Sequence, residues 1–189
     1  MIELRKGRVT DIPSVLDLHF KYQIDSIKEE DKKDGFITTA FTKDELSSLI
    51  KDEDGLFLCF VDDKLAAYVM CASWKFWSVW PMFKFMLNNL SELRYKDLQL
   101  SEANSYQYGP ICIDKSQRGT DVLSLLFDFA RDEMSSKYPV LVTFINKNNP
   151  RSFQAHTRKL GLEVITEFKF NNNSYYELVY DTSVKLLDK

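Results

Sequence analysis

Apolar residues recur along this chain at two spacings. From Ile2 to Lys6 they alternate with polar ones, as in a half-buried strand. Val15, Leu18, His19 and Tyr22 then repeat at helical spacing, behind Thr10-Asp11-Ile12-Pro13 with its capping candidate and first-turn proline. Ile27 to Gly35 is highly charged and reads as a solvated helix end or loop. A second helix is predicted over Thr42 to Lys51: Thr42 and Glu45 form a capping box, and Leu46, Leu49 and Ile50 supply the apolar side. Leu56 to Val61 and Leu65 to Ala72 are apolar runs on either side of Asp62-Asp63-Lys64, the pattern of a β-hairpin.

Phe76 to Leu100 shows helical periodicity in Val79, Met82, Phe83, Met86 and Leu87, and a polar stretch runs on to Ser105. Tyr106 to Ile113 reads as a buried strand. The Gly109-Pro110 pair at its middle must be bulged or unpaired, because proline cannot donate to a ladder. Asp121 to Met134 is predicted as a helix with Val122, Leu125, Leu126, Phe129 and Ala130 on its apolar face. Val140 to Ile145 is another buried strand. Pro150 to Leu160 is a proline-opened helix with Gly161 suited to its C′ position. Glu163 to Phe170 and Ser174 to Tyr180 form a last hairpin across Asn171-Asn172-Asn173. The order β-α-α-β-β-(α)-β-α-β-α-β-β lacks strict βαβ alternation and any internal repeat, so a mixed α/β (α+β) sheet with helices on both faces is expected.

Composition narrows the class. The 189 residues suffice for one substantial core, and 44% apolar with 28% charged residues are ordinary globular proportions. Aromatics reach 14%, with fourteen Phe and nine Tyr, enough to furnish a large core or an aromatic-lined pocket. A net charge of −3 with scattered Lys and Arg makes no basic patch, so no nucleic-acid partner is expected. The opening residues lack the basic-then-apolar layout of a signal peptide. No stretch approaches the about 18 apolar residues of a membrane span, so no membrane partner is expected either. Cys59, Cys71 and Cys112 are odd in number and without CxxC spacing. They read as reduced thiols in a cytoplasmic protein, with neither a disulfide framework nor a metal site.

Three stretches carry a likeness. They are Leu4-Arg5-Lys6 through Asp11-Ile12-Pro13; Ile111-Cys112-Ile113-Asp114-Lys115-Ser116-Gln117-Arg118-Gly119; and Asn149-Pro150-Arg151-Ser152, running on to His156 and Lys159-Leu160-Gly161-Leu162. Together they resemble the GNAT superfamily of N-acetyltransferases over nearly the whole chain, except about Phe76 to Ser105. The resemblance implies a single domain, 1–189, with a variable helical insert at about 76–105. It implies a central mixed, mostly antiparallel sheet whose fourth and fifth family strands splay apart. It also implies acetyl-CoA as acyl donor and a small-molecule or peptide amine as acceptor.

By that resemblance the cofactor-binding residues are Ile111, Cys112, Ile113, Arg118, Gly119, Thr120, Asp121, Val122 and Leu123, with Asn149 and Ser152. Amides at a helix N-terminus form an anion site suited to the pyrophosphate. A backbone N–H near Ile111 to Ile113 would polarise the thioester carbonyl. The family pattern has glycine or alanine where Asp121 and Leu123 stand, and Asp121 adds a negative charge there. The plain alternative is that Arg118 to Asp121 is a capped helix entry and Asn149 an ordinary N-cap.

His156 stands where the family usually places a tyrosine that acts as general acid, and imidazole can do that chemistry. Yet His156 and Gly161 are one residue further apart than the pattern has them, and counting back from Gly161 puts Thr157 in that place instead. A structural histidine is the other reading. Tyr108, Asp114 and Glu102 are candidate bases by position, with none assigned. Trp74, Trp77 and Tyr108 are candidate acceptor-binding residues; the tryptophans are also read as a homodimer contact, and at least half of the insert's aromatics as core buried against the sheet. The function expected is transfer of an acetyl group to a primary amine by direct attack. The alternative is a non-catalytic binding module with a degenerate phosphate loop.

Overall fold

A computed structural model describes residues 1–187. Hydrogen-bond pairing arranges seven strands in the order β1-β2-β3-β6-β7-β9-β8: β1 (Ile2–Lys6), β2 (Leu56–Val61), β3 (Lys64–Ala72), β6 (Ser105–Ile113), β7 (Val140–Asn146), β9 (Asn173–Asp181) and β8 (Glu163–Phe170). The sheet is mixed and mostly antiparallel, with β6 and β7 parallel. Two compact units share the chain: Met1–Cys71 with Gly109–Ala130, and Ala72–Tyr108 with the residues from Arg131 onward.

In the first unit, α1 (Ile12–Tyr22) buries the periodic set Val15, Leu18, His19 and Tyr22. The capping box forms as spelled: Thr42 N–H donates to Glu45 Oε2 at 2.8 Å, and Glu45 N–H to Thr42 Oγ1 at 3.2 Å. The helix it opens, α2 (Lys43–Ser48), is shorter than the predicted Thr42 to Lys51 and passes into a π-turn, Leu49–Glu53. Asp54 (φ 53°) ends that turn, and Gly55 follows. A Cβ at Gly55 would lie 1.8 Å from the Cys71 carbonyl oxygen, so only glycine allows this approach. The β2–β3 hairpin turns on Asp62 (φ 48°) and Asp63 (φ 62°), the paired left-handed residues of a type I′ turn.

The second unit contains the aromatic-rich insert. It is helical only in its first part, with α3 (Trp74–Trp77) and α4 (Pro81–Asn89). After a short 3₁₀ turn the chain forms a two-stranded hairpin, β4 (Arg94–Tyr95) and β5 (Leu98–Gln99). Lys96 (φ 53°) makes the turn, and Tyr95 Oη donates to Glu163 Oε1 at 2.6 Å. The β8–β9 hairpin closes across Asn171 (φ 45°) and Asn172 (φ 61°). A β-bulge in β8 lies between Val164 and Thr166. β6 and β7 pair at Ser105–Val140, Tyr106–Leu141 and Gln107–Val142.

The helix α5 (Val122–Ser135) has a buried face of Val122, Leu126, Phe127 and Ala130. Leu125 and Phe129, predicted on that face, are half-buried instead; Phe127 takes the core position.

Candidate functional site

The first unit holds the loop that leads into α5. Asp114 opens it by accepting from Ser116 N–H (2.9 Å), Ser116 Oγ (2.8 Å) and Lys21 Nζ (2.6 Å). Burial pushes the Asp114 carboxyl up, but Lys21 and the two Ser116 donors outweigh it and hold the group down at about 2. The Tyr22 hydroxyl accepts from Lys115 N–H at 2.7 Å, and the Arg118 guanidinium lies 4.8 Å above the Tyr22 ring. Arg118 Nε also donates to the Ile113 carbonyl at 3.3 Å. Strand end and loop are thereby tied to α1.

Gly119 then adopts φ 84°, and a Cβ there would meet no atom within 4 Å. Thr120 Oγ1 donates to Gln117 O at 2.6 Å and accepts from Val122 N–H at 3.3 Å. Leu125 N–H closes the first helical turn on Asp121 O at 2.9 Å. Among the described residues, the amides of Gly119, Asp121, Leu123 and Ser124 donate to no acceptor. Gly119, Thr120 and Asp121 are exposed. The arrangement offers a cluster of free N–H dipoles at the positive end of a fourteen-residue helix, which can bind an anion. The Asp121 carboxylate makes no hydrogen bond among the described residues and does not serve as a side-chain cap.

Ile111 and Ile113 are half-buried, and Cys112 is buried between them. Burial pushes the Cys112 thiol up to about 12, against a weaker pull from Arg118. A thiol so held is not a nucleophile at neutral pH. All three cysteines are free and buried.

The second unit holds α6 (Pro150–Gln154) and the π-turn Ala155–Lys159. Asn149 caps α6: its Oδ1 accepts from Ser152 N–H at 3.1 Å. The π-turn accounts for the odd spacing before Gly161. Leu160 N–H bonds Ala155 O at 3.1 Å, and the wider turn takes up the one extra residue while keeping Gly161 at φ 80°. His156 is buried, with Nδ1 2.8 Å from the Ser152 carbonyl and its ring 5.9 Å from that of Tyr108 in a T-shaped contact. A carbonyl only accepts, so the proton sits on Nδ1 and Nε2 carries the lone pair. Burial lowers the imidazole below its ordinary range, outweighing the Ser152 hydrogen bond. At neutral pH the ring is therefore neutral and takes a proton at Nε2 more readily than it gives one. Thr157, the other candidate for that place, spends its hydroxyl on Phe153 O at 2.7 Å.

The three candidate acceptor residues also lie in this unit and are buried. Trp74 Nε1 donates to Ser105 Oγ at 3.0 Å. Trp77 packs against Phe76 (5.0 Å), Trp80 (5.5 Å) and Phe83 (4.7 Å). The Tyr108 carbonyl accepts from Gln107 Nε2 (2.6 Å) and Thr143 Oγ1 (2.7 Å). Two neighbours escaped sequence reasoning. Gln107 and Glu177 are buried, and each has an Oε1 without a hydrogen-bond partner among the described residues. The available signal was a single acidic residue inside the apolar run Tyr175 to Tyr180.

Among the described residues no cluster of three His, Cys, Asp or Glu could hold a metal ion, and no helix is long and apolar enough to cross a membrane.

No family model and no curated protein matches the chain. Solved structures do. A putative acetyltransferase from Salmonella typhimurium, solved with its cofactor acetyl-CoA, superposes with a TM-score of 0.63 at 11% identity, covering 96% of this chain and 94% of that one. A GNAT-family acetyltransferase from Streptococcus pneumoniae gives 0.64 at 12% identity, covering 96% and 99%. The ribosomal-protein-S18-alanine N-acetyltransferase from Escherichia coli gives 0.62 at 11% identity, covering 97% and 96%.

Proposed function

We propose, from the GNAT fold that this chain shares with those acetyltransferases, that it transfers an acetyl group from acetyl-CoA to an amine. The observation that carries the reading is the set of free amides after Arg118, aimed from the start of a long helix and preceded by a glycine with positive φ. Such amides suit the pyrophosphate of coenzyme A. Arg118 and Thr120 hold the loop in shape. Ile111 and Ile113 offer backbone groups to the donor, which supplies the acetyl group as a thioester. The amine nitrogen bonds to the acetyl carbon and gives up a proton, the C–S bond breaks, and the sulfur leaves as a thiolate that takes up a proton, so that an amide and a free thiol result. The buried, protonated Cys112 thiol favours this direct attack over an acyl-cysteine route.

For the second unit's residues the proposal is separate. Asn149 keeps its side-chain amide nitrogen for the pantetheine arm while Oδ1 caps α6. His156 handles a proton through Nε2, and as general acid it serves only in its imidazolium form. The exposed Asp121 carboxylate favours a second reading, in which the loop binds coenzyme A weakly and the chain is a binding module.

Calorimetric titration with coenzyme A tests the assignment. The chain should bind it, and Gly119→Val should weaken binding about tenfold, or about 1.4 kcal/mol. A β-branched residue is strained at positive φ, by roughly 1–2 kcal/mol, and would project into the ligand's approach. No heat with the unaltered chain would remove the enzyme reading. Equal affinity in the variant would move the phosphates elsewhere.

A further inference from the structure

Cross-strand pairing puts Gln107, Val142, Phe144, Glu177, Thr166, Phe168 and Tyr175 on one face of the second unit's strands. Gln107 pairs with Val142, Phe144 with Glu177, Glu177 with Thr166, and Phe168 with Tyr175. Directly opposed residues share a face, as do residues two apart on a strand. The insert covers that same face: Phe83 of α4 lies 5.6 Å from Phe144, and Phe85 lies 5.6 Å from Phe168. Phe168 stacks on Tyr175 at 5.2 Å. Phe85, Phe144 and Phe168 are half-buried, so the aromatic cover opens to solvent.

Beneath it lie two hydrogen-bond acceptors with nothing to accept. Glu177 is 4% exposed, and its buried Oε1 has no partner among the described residues. Gln107 is 1% exposed; it spends Nε2 on the Tyr108 carbonyl at 2.6 Å, which leaves Oε1 unpaired. Buried polar atoms are rarely left this way, and each exception asks for a reason. The β8 bulge falls against Glu177, between Val164 and Thr166, and bulges of this kind re-aim side chains beside binding sites. Phe144 and Thr166 pair with Glu177 across the strands, and Tyr175 and Val179 flank it on β9; of these four, the Tyr175 phenol alone titrates.

Gln107 Oε1 only accepts, and the Glu177 carboxyl only accepts once it is ionised, so a ligand that serves both must donate. Aromatic faces attract positive charge. A carboxyl pushed up by burial alone, to about 7, would ionise fully beside a cation. We propose that Glu177 and Gln107, on the same sheet face as the rings of Phe144, Phe168 and Tyr175, form a binding site for a protonated amine with an apolar or aromatic body. The site stands on these residues alone. Naming its ligand the acetyl acceptor rests on the function proposed above.

The test is calorimetric titration of phenethylamine and its uncharged analogue 2-phenylethanol, both without coenzyme A. Phenethylamine should bind at least tenfold more tightly than the alcohol. Glu177→Gln should lose at least tenfold in phenethylamine affinity, and Gln107→Leu a smaller factor. Coenzyme A affinity should be unchanged in both variants. The proposal is overturned if the unaltered chain does not bind phenethylamine, if the alcohol binds as well as the amine, or if Glu177→Gln binds the amine undiminished. Should Glu177→Gln fail to fold, the amine-to-alcohol ratio on the unaltered chain still decides. Amine binding without coenzyme A binding would retain this site and sink the acetyl-transfer reading.

Discussion

Glu177 sits in an environment at odds with its chemistry, buried and with one carboxyl oxygen unpaired among the described residues. Its carboxyl is pushed up from 4.5 to about 7 with burial as the cause. Because the folded value lies above the unfolded one, the folded chain binds the proton more tightly. That contribution is fully present below about pH 4.5 and is lost as pH rises through about 7. Glutamine keeps the shape and never ionises. Glu177→Gln should therefore change stability little at pH 4.5 and raise it toward pH 8 by an amount on the order of 3 kcal/mol. Urea unfolding at the two pH values measures the difference, and a gap that does not grow with pH would mean the carboxylate is solvated. Single residues were unevenly legible. Thr42, Glu45 and Asn149 could be read because caps are local, involving residues three apart. Glu177 and Gln107 could not, since their isolation depends on which strands lie beside them.

At the scale of elements, the sequence pattern succeeds where one period governs and fails where two meet. The β2–β3 and β8–β9 hairpins are spelled in their turns, Asp62-Asp63 and Asn171-Asn172, by residues that tolerate positive φ. The insert defeated the pattern after Glu92, because a four-residue hairpin turning at Lys96 has too few positions to show alternation. The π-turn after α6 is visible only as a one-residue excess between His156 and Gly161, and under the proposed function it bears on proton transfer. It places His156 in the wide turn, Nδ1 fixed on Ser152 O, leaving Nε2 for proton transfer. His156→Phe preserves an apolar environment beside Tyr108, so it should lower acetyl-transfer turnover severalfold more than it lowers coenzyme A affinity. The pH profile then assigns the role. An acid at His156 gives a rate that falls as pH rises through a value below 6.5, while a base gives the opposite slope. A profile and turnover untouched by the substitution would reduce His156 to a packing residue.

For the whole molecule, element order was legible because the Asp114 to Asp121 loop and the α6 segment occur in sequence with a strand between them. The order of seven strands was not, since pairing joins residues far apart in the chain and rests on the fold resemblance alone. The chain's contacts form two units from interleaved stretches, with β6 contributing residues to both. Donor binding at the loop would stabilise the native state by mass action, by about 2.7 kcal/mol at a hundredfold excess over Kd. For a chain of 189 residues that corresponds to a rise in Tm of roughly 5–10 °C. Pantetheine lacks the pyrophosphate that the Gly119 to Ser124 amides would bind, so at equal concentration it should produce a much smaller rise. If the amides hold the phosphates, the coenzyme A shift should also shrink in Gly119→Val while the pantetheine shift stays the same. Equal shifts for the two ligands in the unaltered chain would show that the free amides contribute nothing to donor binding.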